Sequence, residues 1–421
     1  MSVNFRLQKL AAAVGLAIVS PAVLASGFTI PELNATGIGL SNALVANPEQ
    51  IGAVPYNPAA MGFHEGHNVS GGAMILFPDL KVSTATGTHE SGGDDPVFIP
   101  HLQGMFSVND KLRLGLGVQA PFGLESKWDV GAFPDLSVPI GPLPDGSFLP
   151  PGLFHPTHSK LEMIGVVPTV AYRVTENLSL SAGVNYYDAR KVLFNTGIVT
   201  IRGDGSDWGW NAGAMFNSGD LTIGINYHSE ADIGLDGSFT ALGTPSIPVD
   251  AELNLPSRLQ AGIRYAFTDA LALEFDWTRT GWSAFDQLTV TAKGSGTVLT
   301  NSDNSWEDAN AYRLGLSYNL TPKTQLRFGY TYDEPGQQKD RYSPRVPDDN
   351  RQLFSIGLGH SFGEGWQVDG GYMYVVWDDN DYRSNRPFNP LTGDANGTSA
   401  YNGDYEANVH IFGLSVNKTF L

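Results

Sequence analysis

The sequence predicts an all-β protein, a 14-stranded antiparallel transmembrane β-barrel with an N-terminal hatch (a plug) inside its lumen. Segments of ten or more residues alternate apolar and polar side chains, the turns between them are alternately short and long, and aromatic residues cluster towards the strand ends. These features are typical of a bacterial outer-membrane barrel, with short periplasmic turns and long outside loops. The apolar faces are too many to bury against one another, so they indicate lipid as their partner.

Residues 1–25 have the pattern of a secretory signal peptide. Arg6 and Lys9 form a basic region, an apolar region covers 10–19, and Val23-Leu24-Ala25 fits a small-residue cleavage site. We therefore expect export and a mature protein in the bacterial outer membrane.

Residues 26–64 lack strand alternation and are rich in Gly, Asn, Pro and Ala. They carry spaced apolar residues and very little charge, whereas a disordered tail is usually more charged. We predict an ordered hatch inside the barrel rather than a disordered tail. The apolar start of this hatch, with Phe28, Ile30 and Leu33, is predicted to line a ligand pocket against the barrel wall.

Residues 65–421 are predicted to form the barrel. One parity of each strand is apolar, as in Leu271, Leu273 and Phe275, and the other parity is small or polar. The short turns are predicted at 109–111, 175–177, 218–220, 268–270, 321–323 and 363–365. The strands are predicted near 67–87, 96–108, 111–121, 161–175, 177–198, 206–217, 220–240, 250–267, 270–293, 305–319, 323–334, 350–362, 365–383 and 403–420.

The third predicted strand runs into residues that disrupt strand pairing. Pro121 has no N–H to donate to a ladder, and Gly123 weakens a strand interior. Because every backbone polar group in lipid must be paired, a gap at Pro121-Phe122-Gly123 is tolerable only if protein, water or ligand lines it. We predict a lateral opening here; the alternative is that the strand simply ends and a loop begins.

A long outside loop, about 123–160, follows this break and is unusually apolar. Loops of that length are usually functional or disordered, and exposed apolar surface indicates that the loop covers or binds something apolar. Two interpretations stay open: a groove for an apolar ligand, or a segment that packs over the barrel mouth. The candidate groove residues are Trp128, Phe133, Leu136, Ile140, Phe148, Leu149 and Phe154.

Several charged side chains are predicted to face the lumen, because charges are costly on the lipid face of a barrel. One interpretation is a structural network that pins the hatch by ion pairs and hydrogen bonds to its backbone. The other is a path for an anionic ligand. The residues concerned are Arg113, Arg173, Arg258, Arg264, Glu274, Asp276, Arg313 and Arg327.

The composition argues against several classes of function. The net charge of −18 argues against nucleic acid as a partner, and the lack of cysteine excludes disulfides and thiolate metal sites. His155 and His158 have a ligand-like spacing and 378–381 is acidic, but neither stretch has the remaining ligands of a metal site. We see no nucleophile elbow and no phosphate loop, and therefore expect no enzyme activity, no cofactor and no metal.

A set of short motifs runs in order through the mature chain: SGF at 26–28, Asn57-Pro58-Ala59, Pro121-Phe122-Gly123-Leu124, Trp208-Gly209-Trp210-Asn211-Ala212-Gly213, Leu253-Asn254-Leu255-Pro256, Trp282-Ser283 with Phe285, and Asp308 with Tyr312-Arg313. Each motif is weak alone, but the ordered set resembles the FadL/TodX family of outer-membrane transporters. This resemblance covers essentially the whole mature chain.

The resemblance implies uptake of hydrophobic compounds, which in the best-known members are long-chain fatty acids. It implies an N-terminal hatch and a lateral exit through the wall at a kink in the third strand. Gly123 matches the kink glycine of the family. Asn57-Pro58-Ala59 matches the hatch motif, and the resemblance puts that motif near the break.

The chain departs from the fatty-acid members at the positions that meet the ligand carboxylate. Leu193 stands where the family has an arginine, and Glu307 stands where a lysine is expected. Arg190 or Lys191 is then the candidate carboxylate contact. Uncharged aromatic or aliphatic hydrocarbons stay open as the alternative ligands.

More distant alternatives are a diffusion porin, an adhesin or receptor barrel, and a barrel enzyme. A porin would have a polar constriction and no plug. The expected partners are hydrophobic small molecules together with outer-membrane lipid and lipopolysaccharide. We expect a monomer that works passively, without an energy source.

Overall fold

The computed structural model describes residues 27–92, 95–133, 136, 155–241, 244–389 and 394–421. The predicted signal peptide lies outside these residues. Within them, 21 strand segments form one antiparallel sheet. The sheet closes on itself because the first segment pairs with the last, with His67 opposite Phe420. Closure removes the free sheet edges that a chain in lipid cannot leave unpaired.

The strand segments follow in chain order: β1 (His67–Thr84), β2 (Gly87–Glu90), β3 (Val97–Ser107), β4 (Leu112–Gln119), β5 (Gly123–Lys127), β6 (Pro156–Arg173), β7 (Leu178–Thr196), β8 (Val199–Ser218), β9 (Leu221–His228), β10 (Ala231–Ala241), β11 (Ile247–Leu255), β12 (Arg258–Ala266), β13 (Leu271–Thr280), β14 (Gln287–Ala292), β15 (Val298–Asp303), β16 (Ala309–Thr321), β17 (Thr324–Asp333), β18 (Arg351–Gly363), β19 (Trp366–Trp377), β20 (Asn380–Tyr382) and β21 (Gly403–Phe420). The helical elements are α1 (Ala35–Gly39) and five 3-10 turns in the described residues: Ile51–Ala53, Pro58–Phe63, Trp282–Ala284, Lys339–Arg341 and Ser399–Tyr401. None of these helices is long and apolar enough to cross a membrane.

The 21 segments build 14 strands in the described part of the chain, so the predicted strand number is confirmed. Seven strands are single segments. The other seven are interrupted once and consist of β2–β3, β4–β5, β9–β10, β11–β12, β13–β14, β15–β16 and β19–β20.

The six predicted short turns are all present between the strands that they were expected to join. The tightest example lies between β18 and β19, where Gly363 and Gly365 have φ of 87° and 77°. Glycine reaches this left-handed region without the steric cost of a side chain. These turns share one end of the barrel with the start of β1 and the end of β21, which is the periplasmic end in outer-membrane barrels.

The sixth strand is longer than its predicted range of 206–217, because β8 begins at Val199. Its first residues are rich in glycine and charge, which are weak strand formers. They nevertheless pair on both sides, with Thr200 opposite Asn195 of β7 and Asp204 opposite Asp236 of β10. Cross-strand pairing therefore overrides the local preference that the sequence indicates.

A row of apolar side chains crosses six neighbouring strands on the outside of the barrel. Each member lies opposite the next in the strand register, and each is 37% to 47% exposed. An apolar belt of this extent is unfavourable in water and is favourable in lipid, which agrees with the predicted outer-membrane location. The row consists of Ile223, Ile263, Phe275, Leu314, Tyr330 and Phe354.

The N-terminal segment, residues 27–66, packs inside the ring of strands, and most of its side chains are buried. Its backbone has few strand partners, so side chains of the inner wall supply the acceptors that its amides need. Asp276 Oδ2 accepts the N–H groups of Leu44 and Val45, both at 2.8 Å. Glu274 Oε1 accepts the next amide at 2.7 Å. Two lumen carboxylates thus hold this segment.

Candidate functional site

The third strand is broken where the sequence predicts. β4 ends at Gln119, β5 begins at Gly123, and both pair with β6. Gln119 lies opposite Gly165 and Gly123 lies opposite Glu162, so the third strand holds one residue more than its partner. This extra residue is the kind of bulge that bends a strand and interrupts its ladder.

The break leaves an opening on the other side of the third strand. β3 pairs with β4 only from Leu102 to Ser107. Within the described residues, Val97–His101 of β3 pair with β1 but with no residue of β5. The wall between β3 and β5 therefore lacks ladder hydrogen bonds at this level.

The N-terminal segment fills the break from inside. Thr29 forms a β-bridge with Phe122, Ile30 N donates to Pro121 O at 2.9 Å, and Gly123 N donates to Phe28 O at 2.9 Å. A Cβ on residue 123 would lie 3.0 Å from Ile30 Cδ1, so glycine permits this close approach. The structure thus brings Phe28, Ile30 and the whole predicted break together.

Phe28 packs in a cage of aromatic rings. Its ring centroid lies 4.7 Å from that of Trp282, 5.2 Å from Phe285 and 6.1 Å from Trp306. On the other side the ring is 5.9 Å from Phe122, at the break. Phe28 therefore separates the break from the space beyond the cage.

The segment begins at a buried carboxylate. Gly27 N donates to Asp348 Oδ2 at 2.8 Å, from the connection between β17 and β18. Burial raises the pKa of Asp348 to about 7, and the charge of Arg351 opposes that rise. This carboxyl therefore changes charge close to neutral pH, directly at the start of the segment that fills the break.

An apolar cavity of ≈ 140 Å³ lies beside the cage. Most of its wall is aliphatic or aromatic, which suits a ligand without polar groups along its length. Phe28 and Leu124 belong to both the break and the cavity. Other apolar lining residues are Leu161, Val192, Leu193, Leu253, Phe285, Val290 and Trp306.

Three cations line the same cavity: Lys160, Arg202 and Arg345. The Lys160 ammonium is already paired, at 3.0 Å from Glu125 and 2.9 Å from Glu162. Its charge is therefore matched. The two guanidinium groups have no carboxylate within ion-pair distance in the described residues.

Arg345 is held in place by neutral groups. Its guanidinium donates to Ser343 Oγ, Ser302 Oγ and Asn396 Oδ1, each at 3.1 Å. It also lies 5.2 Å from the centre of the Phe194 ring. Sequence reasoning missed this residue because it lies in a connection without strand periodicity.

The structure places Arg190 and Lys191 outside the apolar cavity, in a neighbouring polar groove. About half of each side chain is exposed. Arg190 Nε is 3.0 Å from Asp188, and Lys191 Nζ is 3.8 Å from Glu162. The predicted carboxylate contacts are therefore not on the cavity wall.

Lys191 lies off the cavity because β7 contains a bulge, which no local sequence pattern marks. Ala189 lies opposite Gly205 and Val192 lies opposite Gly203, so two residues of β7 face one residue of β8. Such a bulge shifts the alternation of faces for the residues that it contains. A strict period of two therefore misplaces Lys191, whereas it already puts Arg190 on the outer face.

Leu33 also departs from the prediction. It packs in a second cluster towards the periplasmic side, away from the apolar cavity. The N-terminal segment turns inward after Ile30, so its early apolar residues serve two different clusters. The neighbours of Leu33 in that cluster include Leu40, Leu44, Ala59, Met61 and Met215.

The motif Asn57-Pro58-Ala59 lies against β8 rather than at the break, which corrects its expected position. Asn57 Nδ2 donates to Val45 O at 2.9 Å and to Ala214 O at 3.1 Å. Its Oδ1 accepts the N–H of Ala59 at 3.2 Å, and Pro58 at the first helical position needs no N–H partner. The motif therefore fixes the fold of the segment to the wall.

Most predicted lumen charges hold the N-terminal segment. Arg264 Nη2 is 2.7 Å from Glu49. Arg327 donates to Asp369 and to Gln50, both at 2.7 Å. These arginines join the wall strands to the segment.

Two more arginines act near the periplasmic end. Arg113 Nε donates to His64 O at 3.1 Å. Arg173 donates to Glu176 O at 2.8 Å and lies 5.7 Å from the Phe63 ring. Arg258 and Arg313 have no carboxylate within ion-pair distance among the described residues.

The described part of the long loop packs over the barrel mouth. Trp128, Phe133 and Leu136 are buried, and Trp128 Nε1 donates to Pro344 O at 2.9 Å. The Phe133 ring is 5.3 Å from the Tyr401 ring. The other candidate groove residues, Ile140, Phe148, Leu149 and Phe154, lie outside the described residues.

The predicted histidine pair has two separate structural partners. His155 Nε2 accepts the N–H of Gly131 at 3.2 Å, and His158 Nε2 is 2.7 Å from Glu125 Oε1. Within the residues that the structure describes, no group of three or more His, Asp or Glu side chains could hold a metal ion.

Comparison with known proteins identifies the family of this chain. A family model described as "Outer membrane protein transport protein (OMPP1/FadL/TodX)" matches residues 16–135 and 150–420. The chain is 25% identical over 439 residues to the "47 kDa outer membrane protein" of Pasteurella multocida, covering 97% of each chain. It is 25% identical over 466 residues to the "Long-chain fatty acid transport protein" of an Escherichia coli O6:H1 strain, covering 100% of each.

Two solved structures share the fold. A Pseudomonas aeruginosa FadL homologue superimposes with a TM-score of 0.77 at 20% identity, covering 94% of this chain and 100% of the other. The Ralstonia pickettii toluene transporter TbuX superimposes with a TM-score of 0.67 at 18% identity, covering 94% and 99%. The match of the family model over most of the sequence decides membership: this chain belongs to the outer membrane protein transport protein family, OMPP1/FadL/TodX.

Proposed function

We propose that this protein is a passive outer-membrane transporter of hydrophobic compounds, with long-chain fatty acids as its ligands. The ligands leave sideways through the break in the third strand. The observation that carries the proposal is the apolar cavity beside that break, with Phe28 between the two. A relative named "Long-chain fatty acid transport protein", matched over its whole length, supports the ligand class. In this proposal residues 26–64 act as the hatch of a monomeric channel.

The ligand carboxylate would contact Arg345. A carboxylate is attracted by a cation whose charge is not already matched, and Lys160 is matched by two carboxylates. Arg345 lines the cavity, is oriented by three neutral acceptors and keeps an unmatched charge among the described residues. It therefore replaces Arg190 and Lys191 as the candidate contact.

Uncharged hydrocarbons are the second candidate ligands. Leu193 lies on the cavity wall, and Glu307 is not among the residues that line it. The cavity thus lacks the two cations that the resemblance implies at these positions. The similar fold of a protein titled a toluene transporter is compatible with this alternative.

Release requires that residues 28–30 leave the break. Their displacement costs two backbone hydrogen bonds, Ile30 N to Pro121 O and Gly123 N to Phe28 O, each worth about 1 kcal/mol net. It also removes the buried side chains of Phe28 and Ile30 from their contacts, at about 1.5–3 kcal/mol each, so the total is about 5–8 kcal/mol. Burial of one methylene group contributes about 0.8 kcal/mol, so about six to ten buried methylenes offset that cost. A long acyl chain can therefore open the break by its own binding energy.

The test compares palmitate with hexadecane, which differ in the carboxylate. Purified protein in detergent is titrated with each ligand, in the wild type, in Arg345→Met and in Arg190→Met. We expect Arg345→Met to weaken palmitate binding about tenfold, or about 1.4 kcal/mol, and to leave hexadecane unchanged. Arg190→Met is the control and should change neither.

Three outcomes would correct the proposal. Equal losses for both ligands would mean that Arg345 only shapes the cavity. Binding of hexadecane without palmitate would favour the uncharged ligand class. If the wild type binds neither ligand, the proposed function is wrong.

A further inference from the structure

A second, much smaller cavity lies between the N-terminal segment and the inner wall, with a volume of ≈ 20 Å³. The segment contributes Thr29, Pro31 and Tyr56 to its wall. The barrel contributes Arg258 and Arg313, from β12 and β16. Unlike the apolar cavity, this one is surrounded mainly by polar side chains.

Neither of the two arginines forms an ion pair with a carboxylate of the described residues. Arg258 makes no hydrogen bond or ion pair with any described residue, and its Nε is buried without a partner. Arg313 donates through Nη1 to Thr278 Oγ1 at 2.6 Å, and its Nε is also buried and unpartnered. Arg264 and Arg327, on the same inner wall, each have a carboxylate within 2.7 Å.

In the described part of the chain, three carboxylates lie near the two arginines, and none is within ion-pair distance of either: Asp333, Glu32, and Asp276, which is opposite Arg313 in the strand register and whose Oδ1 has no hydrogen-bond partner. Asp333 lines the cavity, but its Oδ2 accepts from Arg351 Nε at 3.1 Å. Glu32 accepts from Asn42 Nδ2 at 3.0 Å and forms no ion pair with Arg258 or Arg313. Two like charges that face one cavity, with no carboxylate of the described residues within ion-pair distance of either, are unfavourable, because burial removes the water that would solvate them.

We propose that this cavity binds one small monovalent anion, held between the guanidinium groups of Arg258 and Arg313. The bound anion is a halide or a carboxylate group, since guanidinium N–H donors bind either. A volume of ≈ 20 Å³ admits one such group, so the acyl chain of a bound carboxylate would lie outside the cavity. This anion site goes beyond the proposed function. It rests on that function only if the bound carboxylate belongs to the transported ligand.

The test is anomalous diffraction from crystals of the mature protein soaked in sodium bromide. We expect a bromide peak in the small cavity, within contact distance of both guanidinium groups. Arg258→Met should remove that peak. Arg264→Met, which changes a lumen arginine that already has a carboxylate partner, should keep it.

Further soaks distinguish the source of the anion. Bromide is combined with decanoate or with decanol, which lacks the carboxylate. Displacement by decanoate alone identifies a ligand head group at the site, and bromide retained with both additives identifies a free anion; both outcomes support the proposal.

Two results would overturn it: wild-type crystals with bromide at other positions but none in this cavity, or a peak that persists in Arg258→Met. The first needs no variant, so a misfolded variant leaves the proposal testable. The binding of palmitate or hexadecane to the apolar cavity is measured separately, so the proposed function can fail without this site failing.

Discussion

Asp276 is predicted to be a principal anchor of the N-terminal segment. Its Oδ2 accepts two backbone N–H groups, from Leu44 and Val45, both at 2.8 Å. A hydrogen bond to a charged group contributes about 1.5–3 kcal/mol, so the pair contributes about 3 kcal/mol even at the low end. Asp276→Ala removes both acceptors and leaves two amides unpaired.

We expect Asp276→Ala to speed the hydrogen exchange of the Leu44 and Val45 amides roughly 150-fold, because each 1.4 kcal/mol changes an equilibrium tenfold. Asp276→Asn is the matched control, since it keeps one acceptor oxygen at the same place without the charge. Its effect should lie between the other two proteins. Exchange rates in Asp276→Ala that equal those of the wild type would refute the anchoring role.

Three further predictions concern other parts of the molecule. Because burial raises the pKa of Asp348 from an ordinary 3.8 to about 7, the folded protein keeps a proton that the unfolded chain has released between these values. Its stability should therefore fall as the pH rises through that window, and thermal unfolding of Asp348→Asn should show a smaller fall. Phe275→Arg puts a charge in the outer apolar row and should cost about 2–4 kcal/mol of unfolding free energy in lipid vesicles, whereas Val298→Arg, in β15 at the outer end, should cost much less; equal costs would contradict the lipid-facing assignment. In planar bilayers the intact protein should conduct little and a variant lacking residues 26–64 should conduct strongly; a large conductance of the intact protein would favour a porin.

The barrel could be predicted from the sequence because its determinants are local. A period of two in side-chain polarity marks a strand with one lipid face, and turn residues such as those at 363–365 mark its end. The break at Pro121-Phe122-Gly123 could also be predicted from the sequence, because proline and glycine weaken strand pairing through their own backbone properties.

The site depends on contacts between distant parts of the chain, which the sequence does not specify locally. The bulge in β7 moves Lys191 off the cavity, and it is defined by the pairing of β7 with β6 and β8. Arg345 belongs to a connection without periodicity and reaches the cavity only through the closed barrel. Leu33 and Phe28 are close in sequence, yet a turn of the segment sends them to different clusters.

The central claim is that ligand leaves through the break in the third strand. The double variant Pro121→Val with Gly123→Val restores the N–H donor at position 121 and puts strand-forming residues at both positions, and is designed to extend pairing between β3 and the third strand. The decisive measurement is palmitate uptake by cells that carry this variant, with its crystal structure as the check that the wall is sealed. We expect uptake to be lost while purified protein still binds palmitate. Wild-type uptake through a variant whose wall is seen to be sealed would contradict it.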